Sequence, residues 1–549
     1  MDDAFRQEMT EGYALTGPGI TYGAPMKDGE LMADTRVAVS LSMVTRHGLI
    51  AGATGTGKTK TLQLLAGQLS DAGVPVFVAD VKGDLSGLAA PGDAANAKVQ
   101  ERCQSIGWTF VPQAHPVEFL SLSGTKGAQV RATVSSFGPL LLGKVLDLNE
   151  TQTSVLSLIF KYCDDNDLPL LDLADLETTL KYLGSDEGKP VLADYGGMSP
   201  ATVGVILRAI ITTQQEGAGT FFGEPEFDVE DLLRTTPDGK GVITALELSD
   251  VMDKPRLFST FMLWMLAQLY EQLPEVGDLP KPKLTFFFDE AHLLFDDASE
   301  ALMDQVERTV RLIRSKAVGV YFVTQAPTDV PASVLAQLGN RVQHALRAFT
   351  PDDADALRKT ARTFPMTEFY DVERQITALG TGEALVTVLS PRGVPTPLAA
   401  TRLGPPDSLM AALDPTLFAA LARGGLLAGK YATAIDRQSA HEIITARLAA
   451  AKAATTTGGP AGTSEMTPAQ RRAEEAAARR AATAQRQAEA RAKREQARAE
   501  REAARAEAAR QREAQRTQRE IIRSGTRVLT SRTTQSIVRG VFDTFFGKH

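Results

Sequence analysis

One segment of the sequence has the residue types and the spacing that bind phosphate groups. Residues 52–59 read Gly-Ala-Thr-Gly-Thr-Gly-Lys-Thr, which fits the pattern G-x-x-x-x-G-K-[ST]. Glycines allow backbone N–H groups to turn towards phosphate oxygens, and a helix that starts here directs its positive end at the same anion. We expect Lys58 to reach the β- and γ-phosphates of a nucleotide and Thr59 to bind Mg²⁺.

The flanking sequence favours this interpretation over a chance Gly-rich turn. The apolar run of residues 47–51 predicts a strand before the loop, and an apolar-periodic stretch as far as Asp71 predicts a helix after it. The segment therefore predicts a site for ATP with Mg²⁺. The expected nucleotide-binding residues are Gly52, Ala53, Thr54, Gly55, Thr56, Gly57, Lys58, Thr59 and Lys60.

A pair of carboxylates after an apolar run supplies the second part of such a site. Residues 286–290 read Phe-Phe-Phe-Asp-Glu, so a predicted strand ends in Asp289 and Glu290. We expect Asp289 to bind Mg²⁺ or its water shell, and Glu290 to orient or deprotonate the attacking water. The phosphate loop upstream disfavours a plain acidic turn. The letters DEAH that end at His292 match a helicase signature, but four residues are weak evidence.

Gln325 and the loop of residues 80–86 are candidates that their spacing alone does not decide. Gln325 ends the apolar run 318–324, where it can touch the γ-phosphate or the attacking water, or be part of an ordinary turn. The loop Asp-Val-Lys-Gly-Asp-Leu-Ser follows another predicted strand, and ligands of α/β sheets bind at such carboxyl ends. A simple Gly turn explains the loop equally well.

Two arginines are candidates for a contact between subunits. Arg46 immediately precedes the strand before the phosphate loop, and Arg314 follows Arg308 and Arg311 at helical spacing. Either Arg46 or Arg314 can act as an arginine finger on the γ-phosphate of a neighbouring subunit. The commoner alternative for each is a solvated or ion-paired surface residue.

The elements that must position these residues alternate between strands and helices. Such alternation predicts an α/β fold with a mostly parallel sheet. Two further apolar segments, 384–390 and 395–401, flank Pro-Arg-Gly-Val and predict a hairpin at a sheet edge. The predicted strands lie within residues 47–51, 75–80, 117–122, 241–248, 284–289 and 318–324.

The organisation of the chain changes twice. Residues 125–235 interrupt the alternation and contain two helix-start signals, namely a capping box at Asn149–Gln152 and the pair Ser199-Pro200. This segment predicts a helical lid or packing subdomain. Beyond Tyr431 the chain loses its aromatic residues for a long stretch. The predicted segments are an ATPase core over 1–124 and 236–430, a helical insertion over 125–235, a helix with a flexible linker over 431–464, a charged tail over 465–523 and an amphipathic helix over 524–549.

Charge is unevenly distributed along the 549 residues. The total is −8, but residues 465–523 carry +6 and residues 524–549 carry +3, so residues 1–464 carry −17. An acidic body with a basic tail is not a general nucleic-acid-binding composition, although a local basic pore remains compatible with it. The tail is rich in Ala, Arg and Glu and predicts a solvated helix, with a coiled coil as the weaker alternative because no apolar seam repeats.

Several classes of protein are excluded by composition. Cys103 and Cys163 are too few for a disulfide scaffold and fit a reducing compartment. The polar, acidic start is not a secretory signal. No uninterrupted apolar run reaches the about 18 residues of a spanning helix. We therefore expect a cytoplasmic protein with no transmembrane segment.

At this point the sequence resembles the HerA/FtsK superfamily of hexameric P-loop motors, and especially bacterial HerA-like helicase-domain proteins of the YjgR type. The resemblance extends over roughly residues 20–405, the Arg-rich tail and its apolar end. It implies a RecA-like P-loop NTPase fold. The matching segments are 47–63, 78–88, 221–233, 286–295, 319–331 and 338–353.

The resemblance also implies a function. Motors of this superfamily hydrolyse ATP between the subunits of a hexamer and move double-stranded DNA through a central pore. Arg46 and Arg314 match residues that these motors contribute across the interface, and Gln325 matches their sensor Gln. Only about 45 residues precede the strand before the phosphate loop, too few for the first strands together with the N-terminal barrel through which HerA engages a nuclease, so we do not expect that partner.

The sequence thus predicts a Mg²⁺-dependent ATPase whose leading activity is translocation or unwinding of double-stranded DNA. One alternative is an ATPase that remodels or gates a protein partner and has no nucleic-acid substrate. Another is an assembly that binds ATP but rarely hydrolyses it, and an intact Glu290 argues against this.

Overall fold

The apolar runs of the sequence form the centre of one large sheet. The computed structural model describes residues 2–192, 195, 197–215, 217–295 and 300–456. The chain divides into one unit over residues 1–451, to which the sheet belongs, and a second over 452–549. The predicted linker from residue 457 onwards, the charged tail over 465–523 and the amphipathic helix over 524–549 lie outside the described residues.

Strands and helices alternate along most of the first unit. The strands are β1 (Gly19–Lys27), β2 (Glu30–Leu31), β3 (Val37–Ser40), β4 (Gly48–Ala51), β5 (Val76–Asp80), β6 (Val117–Ser121), β7 (Ala128–Gln129), β8 (Ile243–Glu247), β9 (Leu284–Phe288), β10 (Val318–Thr324), β11 (Asn340–His344), β12 (Glu383–Thr387) and β13 (Ala399–Leu403). The helices are α1 (Asp3–Gly12), α2 (Lys58–Asp71), α3 (Ala97–Ile106), α4 (Val134–Val145), α5 (Glu150–Asp165), α6 (Leu173–Gly184), α7 (Lys189–Leu192), α8 (Pro200–Gln215), α9 (Pro255–Gln272), α10 (His292–Phe295), α11 (Glu300–Ile313), α12 (Ala332–Leu335), α13 (Pro351–Ala361), α14 (Val372–Ala378), α15 (Pro415–Gly424), α16 (Leu426–Lys430) and α17 (Ala440–Thr456).

Most of the sheet is parallel, which confirms the predicted fold class. Neighbouring strands run parallel in the order β11-β4-β10-β9-β5-β8-β6-β7. Beyond β11 the sheet continues antiparallel through β12, β13, β1 and β2, and β3 pairs with β1. Because the carboxyl ends of parallel strands meet at one edge, the loops after β4, β10, β9, β5 and β8 lie side by side.

The predicted hairpin of β12 and β13 forms, but its expected position at the sheet edge is wrong. Strand β12 pairs with β11 on its other side, and β13 pairs with β1 in a register that sets Gly23 opposite Leu403. The N-terminal strand therefore covers the hairpin. A free β13 would expose a row of unpaired backbone N–H and C=O groups, and β1 satisfies them.

Both faces of the central strands are buried, as expected for parallel strands covered by helices. In β9, Phe286 and Phe288 face a core built with helices α4 to α9, whereas Phe287 faces a second core built with α2 and β1. Phe286 stacks on Phe77 of β5 with ring centroids 4.1 Å apart. These contacts fix β9 and β5 side by side and so position the loops that follow them.

Helices α4 to α8 lie between β7 and β8 along the chain. Asn149 and Gln152 form the expected capping box at the start of α5. Helix α8 begins at Pro200, and the Ser199 hydroxyl accepts the N–H of Thr202 at 3.1 Å.

Within the part of the chain that the structure describes, no helix is long and apolar enough to cross a membrane.

Candidate nucleotide-binding site

The loop after β4 has the conformation of a phosphate cradle. Gly52, Gly55 and Gly57 all have positive φ, at 155°, 79° and 112°. A Cβ on Gly52 would approach the Cβ of His344 to 2.4 Å, so this position accepts only glycine. The Lys58 ammonium donates to the carbonyl oxygens of Gly52 at 2.6 Å and Ala53 at 3.3 Å. The lysine thus lies across the loop where phosphate oxygens would be received.

Backbone hydrogen bonds from three neighbouring segments hold this loop. Gly52 N–H donates to the carbonyl oxygen of Thr324 at 3.2 Å, and Ala53 N–H donates to that of Ala345 at 2.9 Å. The Thr56 carbonyl oxygen accepts from the N–H of Gly382 at 2.9 Å. The loop is therefore fixed by the ends of β10, β11 and β12, which are distant in sequence.

His344, which the sequence analysis did not identify, packs against the phosphate loop and the helix that follows it. The residue is fully buried at the end of β11, and its Nε2 lies 2.9 Å from the Thr61 hydroxyl on α2. Burial, helped by the charge of Lys58, lowers the pKa of His344 to about 4. The imidazole is therefore neutral at neutral pH. Strand β11 reads Asn-Arg-Val-Gln-His and has no apolar run, so the only signal in the sequence was that His344 falls within the matching segment 338–353.

Asp289 follows β9 at the same edge of the sheet and is 3% exposed. Its Oδ1 accepts the N–H of Glu290 at 3.0 Å, whereas its buried Oδ2 has no hydrogen-bond partner among the residues that the structure describes. Burial, with the charge of Glu290, raises the pKa of Asp289 to about 7. An unpaired carboxylate oxygen in a buried position is suited to a cation.

Glu290 is held in an unusual backbone conformation and in an ion pair. Its φ is +47°, which is uncommon for a residue with a side chain and marks local strain. Its Oε1 accepts from the Lys82 ammonium at 2.5 Å, and within the described part of the chain its buried Oε2 has no hydrogen-bond partner. Burial raises the pKa of Glu290, but the hydrogen bond and charge of Lys82 outweigh burial, and the net pKa is lowered. The carboxylate is therefore ionised.

The loop of residues 80–86 reaches the site through Lys82. Asp80 organises this loop, because its carboxylate accepts the N–H groups of Gly83 and Leu85, each at 2.7 Å. Asp80 lies beside Glu247 on the adjacent strand β8. Burial raises the pKa of Asp80 to about 6, and burial with the charge of Asp80 raises that of Glu247 to about 8.

Gln325 and Thr59 also lie near the phosphate loop. Gln325 is exposed and directly follows Thr324, whose carbonyl receives the N–H of Gly52. Thr59 is half-buried in the first turn of α2. His292, the last residue of the DEAH letters, begins the short helix α10, and its Nδ1 lies 3.6 Å from Oε2 of Glu290.

Arg46 and Arg314 lie together, but at the amino ends of the strands, whereas the phosphate loop lies at their carboxyl ends. Their guanidinium groups contact the two carboxylate oxygens of Asp278, at 3.5 and 3.1 Å. Arg46 precedes the amino end of β4, and Arg314 precedes that of β10 in a short 3-10 turn rather than on α11 itself. A strand rises about 3.3 Å per residue, so β10 separates Arg314 from Gln325 by roughly 20 Å. Neither arginine reaches the phosphate loop of its own chain.

Two cavities accompany these groups. A cleft of about 630 Å³ is lined by four arginines, namely Arg46, Arg311, Arg314 and Arg341. A smaller pocket of about 230 Å³ adjoins the phosphate loop, where Gly57, Lys60 and Thr61 face largely apolar residues. The lining of the smaller pocket includes Val99, Arg102, Leu403, Pro405, Pro406 and Met410.

The parallel sheet, the glycine loop after β4 and the carboxylates after β9 define a P-loop ATPase of the RecA-like class. The chain belongs to the family described as helicase HerA-like C-terminal, whose model matches residues 26–549. The family resemblance in the sequence is thereby confirmed. None of the curated proteins matches the chain.

Several solved structures are similar to this chain at low identity. The bacterial conjugative coupling protein TrwBdeltaN70 is 14% identical, with a TM-score of 0.47 over 73% of this chain and 94% of that chain. VirB4 of Thermoanaerobacter pseudethanolicus is 15% identical, with a TM-score of 0.46 over 71% of this chain and 97% of that chain. The plasmid coupling protein TrwB in complex with ADP and Mg²⁺ is 14% identical, with a TM-score of 0.47 over 73% and 94%.

Proposed function

We propose that this protein is a Mg²⁺-dependent ATP hydrolase that works as a ring motor on double-stranded DNA. The observation that carries the hydrolase is the convergence of three groups at one sheet edge. They are the phosphate loop, Asp289 with its unpaired buried oxygen, and the ionised Glu290. Bound Mg²⁺ and ATP supply the cation and the transferable phosphoryl group.

The side chains at this edge fit those two ligands. Lys58 exchanges its loop carbonyls for phosphate oxygens, and Thr59 and Asp289 offer the hard oxygen atoms that Mg²⁺ prefers. Glu290 orients a water molecule and takes its proton, with Gln325 beside it. The apolar pocket of about 230 Å³ next to Lys60 suits the nucleotide base.

The position of the two arginines favours an assembly in which neighbouring subunits share each site. Arg46 and Arg314 are roughly 20 Å of strand away from their own phosphate loop, so they stabilise phosphoryl transfer only in a neighbour. The cleft that they line with Arg311 and Arg341 gives this edge a positive surface for an anion. We infer a homo-hexamer, as in the motors that the sequence resembles.

Membership of the HerA-like helicase family supports double-stranded DNA as the substrate. The charge of −17 over residues 1–464 favours a second function, in which the same ATPase remodels or gates a protein partner. An acidic body repels a polyanion except where basic groups are concentrated.

The rate of ATP hydrolysis with and without linear double-stranded DNA separates the two functions. We expect the full-length protein to hydrolyse ATP only with Mg²⁺, and expect DNA at low salt to raise the rate. Stimulation by DNA should weaken as salt increases, because phosphate contacts release counterions. Hydrolysis that DNA does not change at any salt concentration would favour the protein-remodelling function.

A further inference from the structure

Three segments that lead into neighbouring strands meet at one carboxylate. Arg46 precedes β4, Arg314 precedes β10 and Asp278 lies in the loop before β9, and these three strands are adjacent in the sheet. Oδ1 of Asp278 lies 3.1 Å from Nη2 of Arg314, and its Oδ2 lies 3.5 Å from Nη2 of Arg46. A single aspartate therefore bridges the two arginines that the proposed function assigns to a neighbouring site.

Backbone hydrogen bonds hold the turn that carries this aspartate. The N–H groups of Val276 and Gly277 both donate to the carbonyl oxygen of Ser315, at 2.9 and 3.2 Å. Gly277 has a φ of +69°, a conformation that glycine adopts readily in a turn. Because Ser315 directly follows Arg314 in the chain, the turn of Asp278 is tied to the backbone beside one of its two partners.

The two guanidinium groups are close enough to repel each other. Burial and the charge of Arg314 lower the pKa of Arg46, and the charge of Asp278 opposes this effect. Without the carboxylate, the like charges would separate. Asp278 is 65% exposed, and an ion pair of this kind adds little to stability, so we do not expect its loss to unfold the protein.

We propose that Asp278 is a positioning residue that holds Arg46 and Arg314 together, as a pair directed at the γ-phosphate bound by a neighbouring subunit. This inference rests on the proposed function, because it assumes that the arginines act in a neighbour. It adds that they act as one unit, and that hydrolysis in each subunit depends on a carboxylate of the next.

The bridged pair keeps N–H donors for that phosphate. A guanidinium group has five N–H donors, and the closest contacts with Asp278 are made by Nη2 of each arginine. Arg46 and Arg314 both line the cleft of about 630 Å³, so the pair borders an opening that an anion can enter. Long side chains lose rotamer freedom when they bind, and a pair already held in place loses less of it.

Steady-state ATP hydrolysis by the full-length protein tests this inference. We expect Asp278→Ala to lower kcat by about 10- to 100-fold, because a misplacement of about 1 Å costs up to about 10²-fold. The KM for ATP should not change, since the phosphate loop lies at the other ends of the strands. Asp278→Asn keeps the shape but not the charge and should lose as much, whereas Asp278→Glu should keep most of the rate.

Mixed assemblies show in which subunit Asp278 acts. Asp278→Ala subunits contribute an intact Glu290, and Glu290→Gln subunits contribute a correctly held pair of arginines. Their hybrid interfaces therefore contain complete sites, and the mixture should hydrolyse ATP faster than the average of the two variants. A residue that merely supports its own chain would give no such recovery.

The matched control is Asp355→Ala, which should keep the wild-type kcat. Asp355 is also an exposed aspartate paired with an arginine, because its Oδ1 lies 2.7 Å from Arg358 on α13. An unchanged kcat in Asp278→Ala, or a lowered kcat without recovery in the mixture, would overturn the inference while the proposed function stands. A wild type that does not hydrolyse ATP, or that is fully active as a monomer, would contradict the proposed function and this inference with it.

Discussion

The Nε2 atom of His344 lies 2.9 Å from the Thr61 hydroxyl, so strand β11 is joined directly to the helix that follows the phosphate loop. The Cβ of His344 also lies against Gly52, where no side chain fits. A neutral, fully buried histidine thereby ties the two ends of the loop to the sheet. The loop owes its shape to this contact as well as to its glycines.

Loss of this contact should weaken the site. We expect His344→Ala to lower the free energy of unfolding by about 1–3 kcal/mol and to weaken ATP binding, because a buried hydroxyl loses one of its two partners and keeps only the Gly57 carbonyl oxygen at 3.2 Å. Thr61→Val removes the other partner at nearly constant shape and should cost less. Equal stability of His344→Ala and wild type in urea unfolding would contradict a supporting role.

Acid should destabilise the protein through two buried histidines. Burial lowers the pKa of His47 and of His344 to about 4, from 6.5 for an exposed histidine. The unfolded chain therefore binds protons first, and the free energy of unfolding falls as the pH drops from 6.5 to 4. The expected loss is about 2 kcal/mol per histidine between pH 7 and pH 5. Urea unfolding should show a smaller loss in His344→Gln.

Lys58→Ala should abolish tight ATP binding. The variant removes the ammonium group of Lys58. This group bonds to carbonyl oxygens of the loop in the structure and should bond to phosphate oxygens when ATP is bound. Binding of a fluorescent ATP analogue measures the loss. Lys359→Ala removes an exposed lysine on α13 and should bind normally. Normal affinity in Lys58→Ala would contradict the predicted cradle.

Glu290→Gln should bind ATP but hydrolyse it roughly 10²–10⁴-fold more slowly, the usual contribution of a general base. The amide keeps the shape of the side chain and loses its basicity. Single-turnover hydrolysis, measured beside nucleotide binding, separates the two effects. Normal turnover would remove Glu290 from the proposed reaction.

Arg314→Ala should abolish most activity, and mixing should restore part of it. If the arginine acts in a neighbouring subunit, Arg314→Ala and Glu290→Gln subunits form hybrid interfaces with one complete site. Activity per subunit of the wild type should also rise with protein concentration. Arg308→Ala is the control, because Arg308 is exposed on α11 and does not line the arginine cleft. A fully active monomer would contradict the ring.

The sequence by itself determined the groups whose signals are local. The phosphate loop, the carboxylates after β9, the central strands and the helix starts at Asn149 and Pro200 all follow from short patterns of glycine, apolar and capping residues. Such patterns are readable because the chemistry and the periodicity lie within one segment.

Only the tertiary structure decided which distant residues meet. Lys82 and Glu290 are 208 residues apart in the chain, and Thr61 and His344 are 283 apart. Their contacts depend on the order of strands in the sheet, which the packing of both faces sets and no short spacing encodes. For the same reason, the sequence presents Arg46 and Arg314 as two separate candidates, whereas in the fold both contact Asp278. They lie a full strand length away from the phosphate loop of their own chain.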